Sequence, residues 1–269
     1  LMRMSQELAD TVQLIEILRR RFSQAKVIVV GHSYGSLLGI ALADRLPGLV
    51  RAYVGVGLDA CGDAEARAIQ DDWLRKEAMG AGDATTLGAI ESGQLRNREE
   101  ALFKYGGVAG GMKSYWPLVA KGLLAPEYTL RDALKVPKGV AFTHRLMQYD
   151  LLDPSLPLID VVPKLTVPVY LFIGRKDYVT PFSCVERYYA DVDAPSKRLV
   201  YFGRSAHFPF LEEPQRFYEA LPKGLPKEEA ILRLKRIEAY ALAVLERKPK
   251  YVPRLDKWLS GLDVSIPPP

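Results

Sequence analysis

Residues 26–36 read KVIVVGHSYGS, and this stretch is the strongest indication of the fold class. The β-branched run Val27 to Val30 has no polar alternation, which is typical of a strand buried on both faces of a parallel sheet. The next five residues, 31–35, match the pattern G-x-S-x-G, and residues 36–46 have the apolar spacing of a helix. A serine between a buried strand and a helix sits in a strained turn that exposes its hydroxyl. The pattern therefore predicts Ser33 as a nucleophile.

The neighbours of this serine have expected roles of their own. Side chains at positions 31 and 35 are expected to collide in so tight a turn, which explains Gly31 and Gly35. The backbone N–H of Tyr34 is expected to donate to an oxyanion, because it lies at a helix N-terminus where the dipole favours negative charge. An ordinary glycine-rich turn between a strand and a helix is the alternative interpretation.

Further apolar runs predict the rest of an α/β fold. Strands are expected at residues 50–56, 167–173 and 198–202, and a helix at residues 6–22. Helical patterns separate the strands, which indicates βαβ units and a mostly parallel sheet flanked by helices.

The chain of 269 residues is predicted to have four parts. Residues 1–59 and 161–224 are predicted to form the core that holds the sheet. Residues 60–160 lack a strand pattern and are predicted to form a helical cap over the carboxyl ends of the strands, where sites form. Residues 225–269 are predicted to hold one amphipathic helix, at 227–248, and a proline-containing tail.

Within the predicted cap, helices are expected at four places: residues 64–79, 98–104, 128–134 and 144–151. The glycine pairs at 106–107 and 110–111 are expected to act as mobile joints.

A serine hydroxyl needs a base to become a nucleophile, and the chain has three histidines. His207 is the predicted base because it lies just past the last strand, at the carboxyl end of the sheet. The side chain of His32 is expected to point away from the attacking face, because it precedes the serine directly. His144 falls in the predicted cap.

The acid that orients the base is expected at another strand end. Asp177 follows the third strand and is the predicted acid, and Asp59, at the end of the second strand, is its rival. With Asp177 the chain order is nucleophile, acid, base, which is the order found in hydrolases that carry the G-x-S-x-G turn.

Composition excludes several other classes of protein. The net charge is +5 with both signs intermixed, so no nucleic-acid surface is expected. Cys61 and Cys184 have no CxxC or histidine neighbours, so no metal site is expected. They are expected to be free thiols in a reducing compartment, with a disulfide as the alternative. No apolar run reaches the roughly 18 residues of a membrane span, and the expected location is the cytoplasm.

Three stretches of the sequence resemble α/β-hydrolases of the proline iminopeptidase-like group. They are residues 10–56, 167–181 and 205–214, and together they cover rather under half of the chain. The last of them contains AHFPFLEEP, which is similar to the histidine loop of that group.

The resemblance implies the α/β-hydrolase fold with a cap. It implies Ser33 as nucleophile, Asp177 as acid and His207 as base, with no cofactor. The implied activity is hydrolysis of an ester or amide bond of a small substrate through an acyl-enzyme. The alternatives are a ligand-sensing or interaction protein that turns over slowly, and an inactive fragment.

The resemblance also implies strands before the one that leads into Ser33. Without them Val27 to Val30 would be a bare sheet edge, which is a template for aggregation. The chain is therefore expected to be incomplete, with part of the oxyanion hole in the missing segment. We expect this strand to be paired on both sides, by a second chain, by a second copy of this chain or by residues that precede Leu1.

Overall fold

The structure, a computed structural model, describes residues 2–95, 97–115, 129 and 135–222. The chain divides into two compact units, residues 1–115 with 141–225 and residues 116–140 with 226–269. Three of the predicted features lie outside the described residues: the helix at 128–134, apart from residue 129, the helix at 227–248 and the C-terminal tail. The predicted domain boundaries stay predictions.

Four parallel strands form the central sheet of the first unit. These strands are β2 (Val27–His32), β3 (Val50–Val56), β5 (Val169–Gly174) and β6 (Lys197–Phe202). They lie side by side in chain order, and every neighbouring pair is parallel. The predicted α/β class with a parallel sheet is confirmed, and all four strands fall where the apolar runs place them.

Helices separate these strands along the chain, and several of them pack on the sheet. They are α1 (Met4–Arg21), α2 (Tyr34–Arg45), α3 (Asp63–Gly80), α4 (Ala84–Glu91), α5 (Arg98–Lys104), α6 (Val136–Leu146), α7 (Leu158–Val161), α8 (Phe182–Asp191), α9 (Pro209–Glu212) and α10 (Pro214–Ala220). None of the helices described is both long enough and apolar enough to cross a membrane.

Both faces of the sheet are covered by apolar side chains. Successive residues of a strand point to opposite faces, and in β5 Leu171 and Ile173 belong to one buried cluster while Phe172 belongs to another. Tyr53 and Val54 divide in the same way on β3. Burial on both sides explains why these strands are continuous apolar runs without alternation.

Strand β2 lies at one edge of this sheet. In the described part of the chain its only sheet neighbour is β3, and the side chain of Val30 is 46% exposed. The partner expected on the other side stays a prediction.

The expected helix at residues 144–151 is wrong beyond its first turn. Helix α6 ends at Leu146, and Met147–Gln148 forms a short strand, β4, which pairs with β1 (Met2–Arg3). Asp150 then accepts hydrogen bonds from the backbone N–H of Ser5 at 2.9 Å and from its hydroxyl at 2.6 Å. Pairing with the start of the chain therefore overrides the local helical pattern.

The expectation of free thiols is also wrong. Cys61 and Cys184 form a disulfide, and they are 4% and 2% exposed. The bond joins the loop after β3 to helix α8, which follows the Asp177 loop. The two cysteines are 123 positions apart in sequence, so only the fold brings them together.

Candidate active site

The turn after β2 holds Ser33 in a conformation that few residues adopt. Its φ is 53° and its ψ −125°, and it is the N-cap residue of α2. Gly31 is required here, because a Cβ on it would lie 2.1 Å from the carbonyl oxygen of Gly35. The expectation that a side chain at position 35 would collide is wrong, because a Cβ on Gly35 would meet no described atom within 4 Å.

The backbone of Ser33 is tied down while its side chain is partly exposed. Its N–H donates to the Val56 carbonyl at 2.9 Å, and its carbonyl accepts from the N–H and the hydroxyl of Ser36 at 2.8 and 2.5 Å. Among the described residues, neither the Ser33 hydroxyl nor the backbone N–H of Tyr34 has a hydrogen-bond partner. Both groups are therefore available to a bound molecule.

Asp177 and His207 form a buried pair beyond the ends of β5 and β6. Their side chains are both 2% exposed, and Nδ1 of His207 lies 2.9 Å from Oδ2 of Asp177. Asp59, the rival acid, makes no hydrogen bond to His207 in the described structure. An ionised carboxylate can only accept hydrogen bonds, so in the neutral tautomer of His207 that fits this contact the hydrogen lies on Nδ1 and Nε2 keeps its lone pair.

Thr180 also bonds to the Asp177 carboxylate, and this role was not predicted from the sequence. Its hydroxyl donates to Oδ2 at 3.0 Å, and its backbone N–H donates to Oδ1 at 3.1 Å. The N–H of Val179 also donates to Oδ1, at 3.0 Å. An aspartate that accepts from the residues two and three places on is a common turn, so the run DYVT contained the signal.

Two backbone hydrogen bonds hold His207 from outside its own loop. Its N–H donates to the carbonyl of Val108 at 2.9 Å. Its carbonyl lies 2.8 Å from Nε2 of His32, whose ring centroid is 4.6 Å from the His207 ring. His207 is therefore connected both to the segment before α6 and to the residue that precedes Ser33. Nothing in the sequence signals the contact with His32.

Gly57, directly after β3, leaves room for the base. It has a φ of +55°, and a Cβ on it would lie 2.8 Å from Cε1 and 2.9 Å from Nδ1 of His207. Any other residue would displace the imidazole or the strand end. Sequence reasoning did not single out this glycine, although a glycine at a strand end is a recognisable feature.

Two adjacent glutamates brace the loop that carries His207. Glu213, which is buried, accepts from the N–H of Arg204 at 3.0 Å and from the hydroxyl of Ser205 at 2.9 Å. Glu212 accepts from the N–H of Ala206 at 2.9 Å and from that of Gly110 at 2.7 Å. These contacts explain the two glutamates that follow the histidine in the sequence.

The segment around residues 107–110 runs between the acid and base loops. The carbonyl of Gly107 accepts from the N–H of Tyr178 at 3.0 Å, and Val108 is fully buried. A Cβ on Gly107 would lie 2.6 Å from the ring of Trp73. Close packing thus accounts for this glycine, and the mobility expected of the glycine pairs stays a prediction.

Two ionisable side chains near this pair have shifted pKa values. Burial, with smaller contributions from Asp63 and Asp177, raises the pKa of Asp59 to about 6. Burial, together with the neighbouring His207, lowers the pKa of His32 to about 4. His32 is therefore neutral near pH 7.

A cavity of about 340 Å³ opens beside the loop of the base. Its wall includes Tyr115, whose ring centroid lies 6.1 Å from that of Phe208. The other lining residues are Asn97, Glu99, Glu100, Phe103, Lys113 and Ser114. All of them fall within residues 60–160, the predicted cap, and His144 lies in the same range, on α6.

Comparison with known proteins agrees with this architecture. The sequence profile of the alpha/beta hydrolase family matches residues 3–220. A probable aminopeptidase of Bacillus subtilis (strain 168), YbaC, is 25% identical over 223 residues, which are 80% of this chain and 70% of that protein. The crystal structure of a probable hydrolytic enzyme from Pseudomonas aeruginosa PAO1 has 22% sequence identity and a TM-score of 0.52, over 83% of this chain and 69% of that one. This last likeness shows the fold.

Proposed function

The chain belongs to the alpha/beta hydrolase family and is an enzyme of the hydrolase class, and from this premise we propose that it cleaves an ester or amide bond of a small substrate through an acyl-enzyme on Ser33. The observation that carries the proposal is the buried hydrogen bond between His207 and Asp177, which leaves Nε2 of the imidazole as a base. The strained conformation of Ser33 at the start of α2 supports the assignment of the nucleophile.

In the proposed first step, Nε2 of His207 takes the hydroxyl proton of Ser33, and Oγ forms a bond to the carbonyl carbon of the substrate. The electron pair of the carbonyl bond moves to its oxygen, which accepts a hydrogen bond from the N–H of Tyr34. Asp177 stabilises the imidazolium, because its carboxylate accepts from Nδ1 and is held in place by Thr180.

The oxyanion then collapses, and the bond to the leaving alkoxide or amine breaks as the imidazolium returns its proton to that group. The acyl group is left on Ser33. A water molecule, deprotonated by Nε2 of His207, attacks the acyl carbon. The bond to Oγ then breaks, the imidazolium returns its proton to Oγ of Ser33, and the acid is released. No cofactor is part of this scheme.

We propose that the cap, residues 60–160, determines which substrate is accepted. The cavity lined by Tyr115 and Phe103 supports this, because it adjoins the aromatic neighbour of His207. The similarity to a probable aminopeptidase makes amides of amino acids one class to test beside simple esters. The cytoplasmic location expected from the sequence stays a proposal, and the disulfide weighs against it, because disulfides are rare in reducing compartments.

The test is steady-state turnover of a p-nitrophenyl ester and of an aminoacyl p-nitroanilide by the wild type and by Ser33→Ala. We expect repeated turnover of at least one substrate and a loss of at least about 10³-fold in kcat for the variant. Ser92→Ala, an exposed serine at the end of α4, is the matched control and should behave as the wild type. A single burst without turnover would indicate the ligand-sensing alternative, and an active Ser33→Ala would refute the proposal.

A further inference from the structure

We propose that His32 is a positioning residue, which fixes the base His207 relative to the nucleophile Ser33 by a hydrogen bond from its imidazole to the His207 backbone. This role rests on the function proposed above. His32 takes no part in the proposed chemical steps, because its side chain donates to the main-chain carbonyl of His207 and not to the serine hydroxyl.

The direction of this hydrogen bond follows from its partners. Nε2 of His32 lies 2.8 Å from the carbonyl oxygen of His207. A carbonyl oxygen can only accept, so Nε2 of His32 must carry the hydrogen. The neutral imidazole satisfies this requirement as the Nε2–H tautomer.

Aromatic rings hold His32 in this orientation. The ring centroid of His32 lies 5.0 Å from that of Phe208 and 4.9 Å from that of Phe210. Its ring is also 4.6 Å from the ring of His207. A side chain packed on three sides loses little further freedom when it makes its hydrogen bond, so the contact constrains the backbone of the base effectively.

The contact between His32 and His207 is important because His32 is adjacent to Ser33 in the chain. His32 ends β2 and is bonded covalently to Ser33, whereas His207 lies on a loop after β6. The other backbone hydrogen bond of His207 goes to Val108, and its ring bonds to the Asp177 loop. Within the described structure, the hydrogen bond from His32 is the only one that joins the base to the strand that carries the nucleophile.

The test compares two replacements of His32. His32→Gln keeps an N–H donor at about the same reach, and His32→Phe keeps an aromatic ring but removes the donor. We expect His32→Phe to lower kcat by about 10²-fold with little change in KM, because a misplacement of about 1 Å has an effect of that size. We expect His32→Gln to recover most of the loss, within about threefold of the wild type.

Leu211→Ala is the control, because it changes a side chain of the same loop that is 49% exposed and makes no described contact with His32; its kcat should stay near that of the wild type. Thermal unfolding of every variant separates misplacement from misfolding, and equal midpoints are expected. Equal kcat in His32→Phe and the wild type would overturn the inference, as would an equal loss in His32→Gln and His32→Phe. Ser33→Ala, assayed alongside, tests the proposed function separately: if that variant keeps its activity, the function fails, whatever His32 does.

Discussion

The carboxyl groups of Asp177 and Asp59 both lie near His207, and they differ in their hydrogen bonds. Asp177 bonds directly to the imidazole and accepts from Thr180 and Val179. Asp59 has no such bond to His207 in the described structure. Its pKa is raised by burial and by the neighbouring charges of Asp63 and Asp177. Replacement by asparagine is therefore expected to affect catalysis strongly at Asp177 and little at Asp59.

We predict that Asp177→Asn lowers kcat by about 10²- to 10⁴-fold without unfolding the protein, because an amide in place of the carboxylate favours the wrong tautomer of His207. Asp59→Asn should keep kcat within about threefold of the wild type. The measurement is ester turnover at pH 8 with circular dichroism as the check on folding. If Asp59→Asn is the more damaging change, the acid has been assigned to the wrong aspartate.

Asp59 should also make stability depend on pH. Its pKa is raised from 3.8 to about 6, so the folded protein keeps the proton more tightly than the unfolded chain does. Ionised Asp59 lowers the free energy of unfolding. This effect is absent below about pH 3.8 and complete above about pH 6. We predict that Asp59→Asn is more stable than the wild type by roughly 2–3 kcal/mol at pH 8 and equally stable at pH 3.5.

Urea unfolding at the two pH values measures this difference. The control is Ser92→Ala, an exposed side chain that does not titrate, whose difference from the wild type should be the same at both pH values. A constant difference between Asp59→Asn and the wild type across this range would contradict the prediction.

At the scale of single residues, a feature could be predicted when the residues that form it are close together in the sequence. The strained turn at Ser33 and the Asp177 turn are each formed within a few residues, so the sequence shows them. Gly57 and His32 act on His207, 150 and 175 positions away. Their importance appears only when the strand ends are brought together.

At the scale of elements, the disulfide joins two parts of the proposed site. Cys61 lies two residues after Asp59, and Cys184 lies in α8, just after the Asp177 loop. The bond closes a loop across 123 positions, so it strongly restricts the unfolded chain. Both the loop after β3 and the acid loop are thereby anchored to the same helix.

We predict that removing the disulfide lowers the free energy of unfolding by about 2–4 kcal/mol. The measurement compares urea unfolding of the wild type with that of the double variant Cys61→Ala/Cys184→Ala, and the wild type in a dithiol reductant should unfold like the variant. Two titratable thiols in denatured, unreduced protein would show that the bond does not form. That result would also agree with the proposed cytoplasmic location, since disulfides are rare in reducing compartments.

Among the elements, the strands of the central sheet were predicted well, because burial on both faces of a sheet requires a continuous apolar run that is visible in the sequence. All four central strands and helix α5 fall within a few residues of their predicted bounds. The short helices α7 and α9 were not predicted, because four residues contain little periodicity. The strand β4 was missed because it depends on a partner 145 positions earlier in the chain.

At the scale of the whole molecule, β2 has no sheet neighbour on the side away from β3 among the described residues. An apolar edge strand with unpaired backbone groups promotes association with other strands. We predict that this edge is covered in the working enzyme, so the amides of Val27 to Val30 that point away from β3 should exchange slowly with solvent.

Amide hydrogen exchange measured by NMR tests this prediction, at protein concentrations that span any association. Slow exchange that disappears on dilution would indicate a second copy of the chain as the cover. Fast exchange at every concentration, in an active monomer, would contradict the prediction.

The proposed role of Ser33 as covalent nucleophile can be tested by labelling with a fluorophosphonate. Trypsin cuts after Lys26 and Arg45, so the peptide of residues 27–45 contains both Ser33 and Ser36. Fragmentation of that peptide in a mass spectrometer locates the label. We expect one label per chain, on Ser33, formed far more slowly in His207→Ala. A label on Ser36 or on any other residue, or equally fast labelling of Ser33 in His207→Ala, would contradict it.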